Sequence, residues 1–174
     1  MLTEVQMGMC ETLFEKASDL LFAVGEIPQA FAVCHGTDAI VMPLPSHVPL
    51  GSSVAVEFAQ SLAGMEGTDM VIFVSEIWRV VKEAVGTKRE DFTDENWQEL
   101  ARKELGGKTP SQHEDKSEAL MMLVLEVANQ KLHMKLGDIK RDAKGGAYVD
   151  GSEWMPEADF TDMKTTIFPQ TLNS

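Results

Sequence analysis

Apolar positions recur along this chain with two different periods, and the changes of period mark its elements. From Thr3 to Gly25 the period is helical. Val5, Met9, Leu13, Ala17, Leu20, Leu21 and Val24 recur at the spacing of one helix face. The start is well specified: Thr3 and Gln6 have capping-box spacing, and Leu2 and Met7 occupy staple positions around the cap. Gly25 is a C-terminal stop, with Pro28 shortly after it. The period then shortens to two. Residues 29–34 and 38–44 read as strands around His35-Gly36-Thr37, where Gly36 supplies the positive φ of a tight hairpin. Pro43, Pro45 and Pro49 stiffen the following loop. Ser52 or Ser53 then caps a second helix reaching about Met65, with Val54, Phe58 and Leu62 on its buried face and Gly64 and Gly67 at its end.

Residues 68–81 begin as a continuous apolar run and then alternate, the pattern of a central strand that emerges toward an edge. Residues 82–117 are polar and charged. Within them Thr93 caps a short helix, Asp94 and Glu95 favour its positive end, Phe92 and Trp97 form a staple pair, and Gly106-Gly107 closes it. This stretch reads as an excursion from the domain. Residues 118–128 form a second central strand, Asn129-Gln130 makes a turn, and 131–140 alternates, with Leu132, Met134 and Leu136 inward and His133, Lys135 and Gly137 outward. A weaker strand follows over 147–154. The expectation is one α+β domain over 1–154 and a C-terminal arm over 155–174. Its order is α-β-β-α-β-(α)-β-β, with a mostly antiparallel sheet of about five strands and both main helices on one face.

Charge narrows the classes of partner. Among 174 residues, 15 Lys and Arg face 28 Asp and Glu, a formal charge of −13. Such a surface repels phosphate backbones and anionic lipid, which argues against nucleic-acid and membrane partners and suits a basic protein partner. Cys10 and Cys34 make neither a disulfide framework nor a metal-ligand spacing, so two buried thiols in a reducing cytoplasm are expected. No basic-then-apolar leader opens the chain. The longest apolar runs, 70–74 and 119–125, fall well short of the ~20 residues of a spanning helix.

The common catalytic constellations are missing: no phosphate-binding glycine loop, no G-x-S-x-G elbow, no H-E-x-x-H and no zinc-deaminase pattern. No cofactor is implied. Four weaker features remain. His113, Asp115 and Glu118 offer an imidazole and carboxylates to a divalent metal, although a solvated turn leading into a strand explains the same letters. Cys34 beside His35 suggests a nucleophile, but strand neighbours point to opposite faces. Glu76 and Trp78 share a face at a strand end and are candidates to line a pocket. Trp154, Ile167 and Phe168 are late apolar residues with little predicted structure to bury them, and exchange across a homodimer would do so.

The segments Val71-Ile-Phe-Val-Ser-Glu-Ile-Trp78 and Pro110-Ser-Gln-His-Glu-Asp-Lys-Ser-Glu-Ala-Leu120 resemble a loose group of small uncharacterised bacterial, phage and mobile-element proteins. These pair a strand ending in E-x-W with a P-S-x-H-x-D-x-x-E-A-L-like lead into the next strand. Lys116 stands where Arg is the commoner choice. The resemblance implies that the two central strands are neighbours, with Trp78, His113 and Glu118 near one another, and it implies no activity. The leading expectation is a non-enzymatic cytoplasmic protein that self-associates as a dimer and binds a macromolecule or small ligand. Its alternatives are a small-ligand or metal-dependent enzyme built on Glu76, Trp78, His113, Asp115 and Glu118, and an acidic decoy that imitates DNA.

Overall fold

A computed structural model describes residues 1–45, 53–79, 99, 103, 116–156 and 158–159. Helix α1 runs Glu4–Val24 and starts as its sequence dictates: Gln6 N–H donates to Thr3 Oγ1 (3.2 Å) and Thr3 N–H to Gln6 Oε1 (2.9 Å). It ends where Gly25 adopts φ +86° and its N–H donates to the Leu21 carbonyl. Strands β1 (Ala30–His35) and β2 (Asp38–Pro43) form the expected hairpin. Helix α2 (Ser53–Ala63) then leads to β3 (Met70–Arg79), β4 (Ser117–Glu126), β5 (Lys131–Arg141), β6 (Ala147–Trp154) and the two-residue β7 (Ala158–Asp159). Of the short helix expected near Thr93, Glu99 and Lys103 are described and both are helical; the rest lies outside the described residues, as does the arm beyond residue 159.

The strands lie in the order β2-β1-β3-β4-β5-β6, every neighbouring pair antiparallel. β7 continues the β6 edge along β5, after Pro156, which has no N–H to give to a ladder. Among the strands of the described path β1 to β6, only the step from β2 to β3 skips a neighbour. Both strands are antiparallel to β1 and therefore parallel to each other, a relation no tight turn can make, and α2 lies in the crossover. The α+β class with an antiparallel sheet and two main helices is as the sequence predicts.

One detail differs: the helices cover opposite faces. Alternation along β1, β3 and β4 sends Phe31, Val71, Phe73 and Leu123 toward Ala59 and Leu62 of α2, and Ala32, Ile72, Leu120, Met122 and Val124 toward Cys10, Phe14 and Leu21 of α1. Central strands that are apolar on both sides require this, because an uncovered second face would leave Ile72, Met122 and Val124 in water, at roughly 1.5–3 kcal/mol for each larger side chain. The outward positions of β5 are corrected for the same reason. His133 and Lys135 face α1 and are buried.

The buried stripe of α1 is corrected too. Cys10, Phe14 and Leu21 are buried, with Met7 and Ala17 packed beside them, whereas Val5, Leu20 and Val24 are exposed. Of the row expected inside, Leu21 is buried and Met9, Leu13 and Ala17 pack against the core, whereas Val5, Leu20 and Val24 lie to one side of the stripe that meets the sheet.

Candidate functional site

Glu76, Trp78 and Glu118 come together. In the β3–β4 register Trp78 pairs with Glu118, and Glu76, two residues earlier, shares their face. Arg141, at the end of β5, occupies the space between the carboxylates. Its Nε donates to Glu118 Oε2 (2.7 Å), one terminal nitrogen to Glu118 Oε1 (3.0 Å) and Glu76 Oε1 (3.3 Å), and the other to the Gly25 carbonyl (3.0 Å). The second Glu76 oxygen accepts from Ile27 N–H (3.1 Å). The Glu118 hydrogen bonds first, and the charge of both carboxylates besides, raise the guanidinium further above its ordinary value. This cluster ties the α1–β1 turn to the sheet. Trp78 stands half-exposed beside it with the Lys116 ammonium 4.6 Å from its ring centroid. His113 and Asp115 lie outside the described residues, as do Ile167 and Phe168. Among the described residues no three His, Cys, Asp or Glu side chains are grouped to share a metal ion.

Trp154 packs within its own chain. It sits against the α1-side core, its indole N–H donates to Glu11 Oε1 (2.7 Å), and its ring lies 5.6 Å from the Lys135 ammonium. Lys135 in turn bonds to the other Glu11 oxygen and lies 4.7 Å from the Phe14 ring centroid. Partial burial alone would raise the Glu11 carboxyl; hydrogen bonds from Lys135 and Trp154 outweigh it and hold the group below its usual value. A third polar contact lies near the start of α1. Glu126 accepts from Asn129 Nδ2 (3.0 Å) and pairs with His133 Nε2 (2.6 Å), both partners of that pair being buried. Cys34 is buried on the α1 face and His35 is exposed, so the two do not meet as a catalytic pair. Burial pushes the Cys34 thiol up to about 11 and the Cys10 thiol to about 12.

One arrangement open to a ligand among the described residues is an apolar groove of about 290 Å³ between α1 and the β1–β2 ribbon. Leu13, Ala17 and Leu20 form its helix wall, with Ala30 and Ala32 on the strand side and Val41 at the outer rim. The small side chains of Ala30 and Ala32 leave the space, and Val41 is 51% exposed on an edge strand. Lys16 stands at the helix wall as the sole charged lining residue, and it has no ion-pair partner among the described residues.

No protein-family model matches the chain, and no curated protein or solved structure is significantly similar to it. No helix among the described residues is long and apolar enough to cross a membrane.

Sequence reasoning passed over Arg141, Glu126, Lys135, Lys16 and Val41. Two signals point to the groove in retrospect. The Leu13/Ala17/Leu20/Val24 row is a second apolar stripe on a helix already carrying Cys10, Phe14 and Leu21. Residues 39–42, Ala-Ile-Val-Met, are apolar on both strand faces although β2 lies at an edge.

Proposed function

We propose that the protein is a non-catalytic binding protein, and that the groove between α1 and the β1–β2 ribbon is its ligand site. The observation that carries this reading is an open apolar trough with one cation on its wall that has no ion-pair partner among the described residues, in a chain of net charge −13. The occupant that fits is an apolar chain ending in a carboxylate. The chain replaces water over Leu13, Leu20, Ala30 and Val41, and the acid group meets Lys16. At roughly 30 Å³ for each water-sized unit, the volume accepts on the order of ten non-hydrogen atoms, near the lower end of ligand pockets. The engagement of Glu76 and Glu118 by Arg141 supports a structural role for that neighbourhood, and the raised thiols give no support to a cysteine nucleophile.

Calorimetry with octanoate, decanoate and 1-octanol tests the reading. The acids are expected to bind and to raise the melting temperature, octanoate more tightly than the alcohol by about fivefold, the worth of an exposed ion pair near 1 kcal/mol. Lys16→Ala removes that preference, and Leu20→Glu on the exposed helix wall abolishes binding of all three. The absence of heat and of any melting shift with millimolar acid refutes the proposal.

A further inference from the structure

Among the described residues strand β2 ends the sheet on one side, and apart from Pro43 its outward edge carries none of the usual protection. It has no Lys or Arg, its only charged residue, Asp38, lies at the turn, and Ile40 and Val41 are 65% and 51% exposed. Natural edge strands are normally blunted by charge, bulges or covering segments. The β1–β2 register decides which backbone groups this edge offers. Residues 35 and 38 close a two-residue turn, and the Leu44 N–H donates to the Gln29 carbonyl in the same register. Antiparallel ladders alternate bonded and non-bonded pairs. Asp38, Ile40 and Met42 therefore turn their N–H and C=O groups toward β1, while Ala39, Val41 and Pro43 turn theirs away from the sheet. Pro43, which lacks an N–H, sits where an outward donor would otherwise project, as edge prolines do.

We infer that the chain forms a symmetric dimer by pairing β2 with β2 of a second copy, antiparallel about a two-fold axis at Ile40. An antiparallel edge is self-complementary, so one strand serves as donor and acceptor row for its own copy. The register with Ala39 opposite Val41 of the second copy uses every outward group of both residues and closes four backbone hydrogen bonds. Pro43 then falls opposite Thr37, where only its carbonyl is required. A register shifted by two residues either sets Pro43 opposite Ala39, which leaves the outward Ala39 carbonyl of each copy without a donor, or carries the seam into the turn. The axis is perpendicular to the sheet, so the two β1–β2 ribbons become one continuous surface. Ala39 and Val41 of each copy point to the α1 face and extend the groove floor of the other. Ile40 meets Ile40 on the α2 face as a non-bonded pair, with Cα atoms about 4.5 Å apart. This interface does not depend on the identity of the groove ligand.

Cross-linking together with light scattering tests it. Ile40→Cys places two thiols within disulfide reach across the axis, where Cα separations of about 4.4–6.8 Å are usable. Cys10 and Cys34 are buried and do not compete. Mild oxidation of Ile40→Cys is expected to yield a covalent dimer, and Ala39→Cys, which faces Val41 instead, little or none. The wild-type mass is expected to rise with concentration toward twice 19.2 kDa. Ile40→Lys, and Val41→Pro, which removes only an outward N–H, should hold it at one chain with unchanged circular dichroism. A wild type that stays monomeric to millimolar concentration overturns the inference, as does a dimer that survives both substitutions or equal cross-linking at residues 39 and 40. Octanoate titration of the Ile40→Lys monomer reads the groove separately, since Ile40 faces the other side of the sheet.

Discussion

Glu126 is the most deeply buried carboxylate described, and removing it gives a sharp test of how the sheet's α1 face is held. Its side chain is 4% exposed and that of His133 is 8%. Glu126→Ala deletes the acceptor shared by His133 Nε2 and Asn129 Nδ2 and opens a cavity. Removing one member of a buried pair costs about 3–5 kcal/mol. With a urea slope of about 2 kcal/mol/M for a chain of this size, the unfolding midpoint should fall by roughly 1.5–2.5 M at neutral pH. Glu126→Gln keeps the shape and one acceptor and should cost about 1–2 kcal/mol, the difference between a charged and a neutral hydrogen bond. The pH dependence has a definite sign. Burial alone would raise the Glu126 carboxyl, but the hydrogen bonds from His133 and Asn129 outweigh it and hold the group below its ordinary 4.5. A depressed carboxyl contributes stability in full above its unfolded value, and that contribution is lost as the pH falls through the folded value. The gap between wild type and Glu126→Gln should therefore narrow as the pH falls below about 4.5. A Glu126→Ala midpoint shifted by less than about 0.3 M, or a Gln gap that persists unchanged into acid, refutes the reasoning.

Gly137 lies under α1 where a methyl group has no room: an added Cβ would lie 2.6 Å from Val149 Cγ1 and 3.0 Å from Phe14 Cζ. Gly137→Ala should destabilise by about 1–3 kcal/mol, and an unchanged thermal midpoint would show that α1 does not press on β5. Burial raises the Cys10 and Cys34 thiols to about 12 and 11, so an aromatic disulfide reagent at pH 8 should label neither in the native protein and both in urea. Fast native labelling would contradict the burial of that face.

The fold was legible where one local signal sufficed. Thr3, Gln6 and Gly25 mark the ends of α1 because each satisfies specific backbone groups of a helix terminus, and Gly36 marks the hairpin through its positive φ. What the sequence left open was which face each element buries. Strict alternation over 131–136 reads as a half-exposed strand, yet His133 and Lys135 are buried because Glu126 and Glu11 supply their partners from other elements. Periodicity cannot register a partner 124 residues away, as Glu11 is from Lys135. The same limit applies to the Trp78 neighbourhood. The E-x-W strand end and the approach of Glu118 were visible, but Arg141, which bonds both carboxylates, belongs to a strand that neither motif touches.

These polar contacts explain why a groove exists at all. Apolar burial is non-directional and would tolerate α1 sliding across the sheet toward β1 and β2, where Leu13, Leu20 and Val24 would be covered. Directional contacts oppose that shift. Glu11 engages Lys135 and Trp154 on β5 and β6, and Arg141 of β5 holds the Gly25 carbonyl just past the helix end. Both draw α1 away from the β2 edge, and its packing is accordingly on β3, β4 and β6. Gly137 lets the helix settle there by admitting Phe14. A helix anchored over one side of the sheet must leave the other side of its apolar surface unmet. Leu20 and the outer sides of Leu13 and Ala17, above a floor of Ala30 and Ala32, border that unmet surface. Releasing the anchor is therefore expected to close the groove: Glu11→Ala should weaken octanoate binding although Glu11 does not line the site. Undiminished binding in that variant would mean that packing alone positions α1.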